Sequence, residues 1–322
     1  MVADDATEPG SSRPLYRRLL ERRAKPLDQR TQLIVTVVLV VALVVASVWG
    51  WRSAGVSFSR LDWWALGIAF AVGSPATLVL KMLEYDAAAR LIGSRAAPRR
   101  ALEVAVVSSA ANLLPLPGSM LVTTRSLSEQ GATYGSAAIA SAIPGLAWLA
   151  LAAIIGGVSI VIAGSAFIGV AIGIGGIVGL LAAGALFRRT APRDGRVQLA
   201  LRIVAIEGSW ILLSGFRLWL ILKAIGVTAT PAQVLALALA GAMSVAIGFF
   251  PAGLGAREAL IALLSPIIKL PLSEGIVLGV IDRVVWISFL AMAAIALALT
   301  RSRSTVSAEI IEEIEAEVSP PT

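Results

Sequence analysis

Apolar residues run through this chain in blocks of about 20, the length at which a helix crosses the hydrocarbon core of a bilayer. Polar residues gather in short clusters between the blocks. The blocks predict helical spans over 33–49, 61–83, 133–155, 159–187, 199–222 and 273–300. Two further apolar stretches, 101–120 and 231–270, are broken near their centres. The first carries Asn112-Leu-Leu-Pro115-Leu-Pro117-Gly118. The second carries Gly248-Phe-Phe-Pro251-Ala-Gly253-Leu-Gly255-Ala-Arg257-Glu258. Proline and glycine interrupt a helix, so each stretch is expected to turn there.

Polar segments refine the picture. Between 13 and 25, Leu15, Tyr16, Leu19 and Leu20 recur at helical spacing among arginines. That is an amphipathic basic helix for an anionic leaflet, or a solvated segment that sets topology. Trp49, Trp51, Trp63 and Trp64 flank the first loop, where an aromatic belt is expected. The acidic tail over 308–318 has Ile310, Ile311 and Ile314 at helical spacing and reads as a short surface helix or a frayed end.

Basic residues orient the spans. The N-terminal segment, the connector from Lys81 to Arg100, the connector from Arg188 to Arg202, and Arg301 with Arg303 all belong on the cytoplasmic side by the positive-inside rule. Counting crossings then requires 101–125 to start and end inside, and 231–270 to start and end outside. The reading adopted is two re-entrant helical hairpins entering from opposite faces, with turns at Pro115, Pro117 and Gly118 and at Pro251, Gly253 and Gly255. The alternative counts 231–249 as a full span and places the C-terminus outside. The fold class is thus an all-α polytopic membrane protein of about six transmembrane helices plus two opposed hairpins, an inverted repeat. Its parts are a basic cytoplasmic segment (1–30), a transmembrane domain (31–302) and an acidic cytoplasmic tail (303–322). Both termini are expected inside the cell. The first block follows about thirty residues with no small-residue cleavage site after it, so it is expected to stay as an anchor.

Composition agrees and excludes some chemistry. The chain is 57% hydrophobic and only 15% charged, with a mean hydropathy of +0.86. It has no cysteine and no histidine. Disulfides, thiolate nucleophiles, Cys/His metal sites and imidazole catalysis are therefore excluded, and no cofactor or metal is expected. The net charge of +7 flanks apolar spans, which points to lipid rather than nucleic acid. Gly253-x-Gly255 lacks the strand–turn–helix setting of a nucleotide site.

Ionisable residues within the predicted spans or hairpins include Glu207, Arg217, Arg257, Glu258, Asp282 and Arg283. Such residues are costly in lipid and face the protein interior. Arg257 with Asp282, or Glu258 with Arg283, would form structural clasps. The arginines would otherwise hold a lipid phosphate, which guanidinium binds bidentately. Irregular backbone at membrane depth lines a cavity or is buried in protein, and half-helix N-termini favour an anion. A polar cavity between the two turns is expected. Arg125, at the base of the first hairpin, is either a headgroup ligand or an interfacial anchor. Gly169-x3-Gly173 and Gly175-x3-Gly179 permit close helix packing, inside one protomer or across a homodimer.

The stretch Pro251-Ala-Gly253-Leu-Gly255-Ala-Arg257-Glu258 resembles the P-x-G-[IL]-G-x-R-E signature of the flippase-like membrane domain, the family of the lysylphosphatidylglycerol synthase transmembrane region and its stand-alone relatives. Arg283 fits that family's arginine in the last helix, and Asn112, Pro115, Gly118 and Arg125 are similar to its upstream element. Ser119 stands where many members have glutamate. The resemblance spans roughly 30–302. It implies movement of a lipid or lipid-linked glycan between leaflets of a bacterial inner membrane, with Asn112 and Arg125 in the lipid-binding set. It implies no aminoacyl transfer, since no soluble transferase domain follows.

Three functional readings result. The first is a flippase for an anionic phospholipid or polyprenyl-linked lipid, not an enzyme, run as an equilibration or driven by membrane potential or by protons on Glu207, Glu258 or Asp282. The second is a non-transporting partner subunit that recruits a lipid or cell-envelope synthase through the basic segment or the acidic tail. The third is a membrane-embedded lipid-modifying transferase.

Overall fold

The computed structural model describes residues 45, 48–49, 51–55, 57–112, 118–247 and 256–318, and among them it contains helices and connections but no strand. The basic segment 1–30, most of the block 33–49, and the turn residues Pro115, Pro117, Pro251, Gly253 and Gly255 lie outside the described residues.

Helix α1 runs Trp63–Leu91. The Asp62 carboxylate caps its start by accepting the Trp64 and Ala65 N–H groups, satisfying donors that have no intrahelical partner. Residues Ala69–Gly73 wind as a wider π turn. Pro75 follows, with no N–H to return to that turn. Helices α2 (Pro98–Ala111) and α3 (Gly118–Ser128) come next, then α4 (Tyr134–Ile162), α5 (Ala166–Thr190) and α6 (Arg196–Ala224). Helices α7 (Pro231–Ile247) and α8 (Ala256–Ile267) precede α9 (Leu272–Val318). Five of these segments are long and apolar enough to cross a membrane: α1, α4, α5, α6 and Leu272–Thr300 of α9.

Three boundaries differ from the sequence reading. Helix α1 continues to Leu91, so Lys81 and Arg90 are helical residues and not part of a connector. The break expected at 156–158 falls at 163–165. Gly156 and Gly157 are helical, and their bare Cα atoms admit close neighbours. A Cβ on Gly156 would lie 2.8 Å from Leu239 Cβ, and one on Gly157 would lie 2.6 Å from the Gly169 carbonyl oxygen. The acidic tail is a continuation of α9 to Val318, not a separate surface helix.

The remaining helices are short. At 1.5 Å per residue α2, α3, α7 and α8 measure about 21, 16, 26 and 18 Å, below the roughly 30 Å of a bilayer core. They pack in pairs, α2 on α3 and α7 on α8. Arg100 at the start of α2 donates to Glu129 just past α3, so that pair's two ends lie together. Gln233 at the start of α7 donates to the Ile268 carbonyl just past α8 at 2.8 Å, which closes the second pair. Ser165, after α4, donates to the Ile267 carbonyl at 2.9 Å, whereas Thr133, just after the first pair, caps the start of α4. The bases of the two pairs therefore sit at opposite ends of α4.

The larger core lies among α4, α6, α7, α8 and α9, around Ile221, Leu237, Leu239, Ile261 and Leu278. A second, around Tyr85, Leu127, Ile143, Phe187 and Ile206, joins α1, α3, α4, α5 and α6. Of the two glycine motifs, Gly169 packs against Gly157 and Val161 and Gly179 against Ala150, placing one glycine of each motif on α4 of the same chain, whereas Gly175 has nothing within 4 Å. Much of the rest of α5 is exposed, including Phe167, Ile174, Val178 and Leu181.

Candidate functional site: a buried arginine–carboxylate cluster

Helices α6, α8 and α9 bring five of the predicted residues together. Asp282 is the hub, only 1% exposed. Its Oδ1 accepts from Arg217 Nε at 2.7 Å, and its Oδ2 lies 2.7 Å from Arg257 Nη2. Beside it, Arg283 Nε lies 3.8 Å from Glu258 Oε1. Both clasps expected between α8 and α9 thus form together. The third partner, Arg217, joins them from α6.

Local sequence explains the placement. Arg257 and Glu258 fall in the first turn of α8, and Asp282 and Arg283 are adjacent on α9. Gly279, one turn before Arg283, lets α9 approach α8 closely: a Cβ there would lie 3.1 Å from Glu258 Cα. Gly241 of α7 faces the Arg257 guanidinium in the same way, at 3.8 Å. Gly73, the last residue of the π turn in α1, faces the Arg217 side chain at 3.4 Å. Arg217 Nη1 also reaches Thr77 Oγ1 at 3.5 Å, and its guanidinium lies 5.6 Å from the Trp286 ring centre. Small residues therefore make room for the arginines on two sides, and a ring covers one of them.

The charges do not balance. Three guanidiniums, Arg217, Arg257 and Arg283, face two carboxylates, Asp282 and Glu258. With all five ionised the cluster carries one net positive charge. A buried charge is tolerated when it is paired and hydrogen-bonded. Arg257 Nε is buried and has no hydrogen-bond partner among the described residues. The cluster thus holds an excess positive charge and a buried N–H donor without a partner among the described residues.

The other predicted residues lie elsewhere. Asn112 is at the tip of the first pair, where its Oδ1 accepts the Ser119 N–H at 3.0 Å and so caps α3. Gly118 packs directly on the Ala111 carbonyl, which leaves no space for a side chain. Arg125 is exposed and pairs with Glu129 at 3.3 Å. Around it is a polar platform: Tyr85 hydroxyl with Ser126 Oγ at 2.7 Å, Gln130 Nε2 donating to the Tyr85 hydroxyl at 2.6 Å, and Asp86 accepting from Arg90 and Arg202 at 2.8 and 2.7 Å. Hydrogen bonds from Arg100 and then Arg125 hold the Glu129 carboxyl below the ordinary carboxylate range.

Glu207 does not meet Arg217. The charges acting on it are Glu84 and Lys81 of α1. Thr77, Lys81, Glu84 and Trp286 are not among the site residues expected from sequence, where Lys81 counts only as part of a basic connector. Lys81 and Glu84 carried a signal, being charges three residues apart within an apolar stretch. A recess of 640 Å³ opens near the platform, lined by Leu91, Thr133, Ser136, Arg189 and Pro192 among others. It holds a single charged residue and is remote from the arginine cluster. The cavity expected between the two turns involves tips outside the described residues. Among the described residues no group of acidic side chains is arranged to hold a metal ion.

Comparison with models of known protein families finds no match, and comparison with curated proteins finds no similar one.

Proposed function

We propose that this chain is a transporter-like flippase that moves an anionic lipid, a phospholipid or a polyprenyl-linked glycan, between the leaflets of a bacterial inner membrane. The observation that carries this reading is the excess positive charge of the Arg217–Arg257–Arg283 cluster against Asp282 and Glu258. Keeping such a charge among membrane-spanning helices is costly, and residues of this kind mark substrate pathways. Guanidinium matches phosphate geometry and does not lose its charge. Arg257 lies in the first turn of α8, so the helix N-terminus adds N–H donors on the same side.

In this reading the pairs α2–α3 and α7–α8 are re-entrant hairpins that enter from opposite faces, and the chain is an inverted repeat whose site lies at the meeting of the halves. The short helix lengths and the closure of each pair at its own base support it. The phosphate is held by Arg257 and Arg283 while the apolar chains stay in the bilayer. The P-x-G-[IL]-G-x-R-E resemblance supports the same residues, and the flanking basic residues support cytoplasmic termini.

The test is leaflet exchange of a fluorescent anionic phospholipid in proteoliposomes. Wild type is expected to accelerate exchange, and the Arg257→Ala/Arg283→Ala double variant to lose it while inserting normally. Equal exchange by the two proteins would sink the site. A second reading, a non-transporting subunit that recruits a synthase, is favoured by the continuation of α9 to Val318. Under that reading a synthase co-purifies in stoichiometric amount and leaflet exchange stays at the protein-free rate.

A further inference from the structure

Asp282 is bonded through both oxygens to arginines, and Glu258 faces Arg283. Of the three carboxylates on the predicted proton list, these two are held by guanidiniums. Glu207 differs. It is 1% exposed, and its Oε1 is buried without a hydrogen-bond partner among the described residues. The charged groups acting on it are Lys81 and Glu84 of α1. Helices α4 and α7 also pack on α6, and neither carries an Asp, Glu, Lys or Arg within 134–162 or 231–247. The α9 groups Asp282 and Arg283 belong to the Arg217 cluster, about 15 Å along α6 from Glu207 at 1.5 Å per residue.

Two carboxylates therefore lie within the influence of one ammonium, which is bonded to only one of them. Lys81 Nζ donates to both Glu84 oxygens, at 2.9 and 2.8 Å. It also lies 5.4 Å from the Trp210 ring centre, and Trp210 packs against Trp148 at 6.0 Å. Lys81 wholly given to Glu84, with Glu207 Oε1 left alone, is the pairing of a protonated Glu207. Loss of that proton leaves a second buried carboxylate, and among the described residues the cation acting on it is the flexible Lys81 chain.

We infer that Glu207 is a proton-binding site and that Lys81 moves between Glu84 and Glu207 as the proton leaves and returns. Lys81 is one turn beyond Thr77 on α1, and Thr77 accepts from Arg217. Proton site and arginine cluster thus share both α1 and α6, one cluster toward each end of α6. Resting on the transport reading above, this makes the proton the coupling ion for the anionic lipid.

Infrared difference spectroscopy of the purified full chain in lipid, between acid and alkaline pH, tests the site itself. The expected result is a carboxylic-acid C=O band that is gained as pH falls, is absent from Glu207→Gln and is displaced but kept in Glu207→Asp. Trp210 fluorescence, read against a Trp210→Phe background, should follow the same midpoint. A band unchanged in Glu207→Gln overturns the proposal. Leaflet exchange of labelled phosphatidylglycerol, with and without a pH gradient, tests the coupling. A gradient is expected to change the wild-type rate several-fold and leave Glu207→Gln unaffected. An equal response in both proteins overturns coupling. A Glu207-specific band in a protein that exchanges no lipid upholds the proton site and overturns the flippase reading, so the two failures are distinct.

Discussion

Replacing Asp282 by Asn keeps the side-chain volume and one acceptor oxygen but removes the charge that two arginines share at 2.7 Å. The five-residue cluster then goes from three positive and two negative charges to three and one. Removing one partner of a buried ion pair costs about 3–5 kcal/mol, because the surviving charge stays buried and uncompensated. Here two guanidiniums lose their partner. Arg217 is 4% exposed and cannot turn to water, while Arg257, at 21%, has some relief. The expected loss for Asp282→Asn is therefore about 3–5 kcal/mol, roughly a 10²- to 10⁴-fold shift toward unfolded protein. Arg217→Gln alone leaves Asp282 with Arg257 and should cost less. The Arg217→Gln/Asp282→Asn double variant restores the original net charge. It should be more stable than the sum of the single losses implies, with a coupling of about 0.5–3 kcal/mol. Unfolding of the purified proteins in one detergent, followed by thermal and denaturant titration, measures all four corners of the cycle. Additive single losses would refute the shared-charge reasoning. So would an Asp282→Asn protein as stable as wild type.

The other predictions concern packing, capping and pH. Gly157→Val should destabilise the α4–α5 contact by at least about 1–3 kcal/mol through overpacking, since a Cβ there would lie 2.6 Å from the Gly169 carbonyl oxygen. Gly175→Ala, with nothing within 4 Å, should be neutral or gain about 0.5–1 kcal/mol of helix preference; thermal melts compare the two. Asn112→Ala should lose about 0.5–2 kcal/mol by uncapping α3, with Asn112→Asp close to wild type. Glu129 has its folded pKa depressed by Arg100 and Arg125. Its contribution is present above the ordinary carboxylate value and is lost as pH falls through the lower, folded value. A pH series of melts should show a small loss there in wild type that is missing in Glu129→Gln, and the loss should shrink at high salt.

The helical character of the chain was legible because apolar blocks of bilayer length leave few other folds. The broken stretches were legible too, since Pro and Gly mark where a helix stops, and the ends of α2, α3, α7 and α8 fall around them. The glycine pair at 156–157 reads as a break because a glycine that admits a neighbouring backbone looks, in sequence, like one that ends a helix. In the arginine cluster, Arg257–Asp282 and Glu258–Arg283 were foreseeable from sequence order and helix adjacency. Arg217 was recognised as interior but its partner was not, because it comes from a helix far along the chain. Lys81 and Glu84 were hidden by the positive-inside pattern, which absorbs any basic residue near the end of a span. Their influence on Glu207 emerges only from the packing of α1 on α6.

Helix α9 has 47 residues and so measures about 70 Å, whereas a bilayer with its headgroups is about 40–45 Å thick. With α9 near the membrane normal, roughly 25 Å of it stands clear of the membrane. Continuity of the helix makes that projecting piece a lever. A small rotation of the membrane-embedded part around Asp282 and Arg283 would sweep the acidic end near Val318 through a larger arc. A probe fixed at that end would report on the charge cluster from the aqueous side.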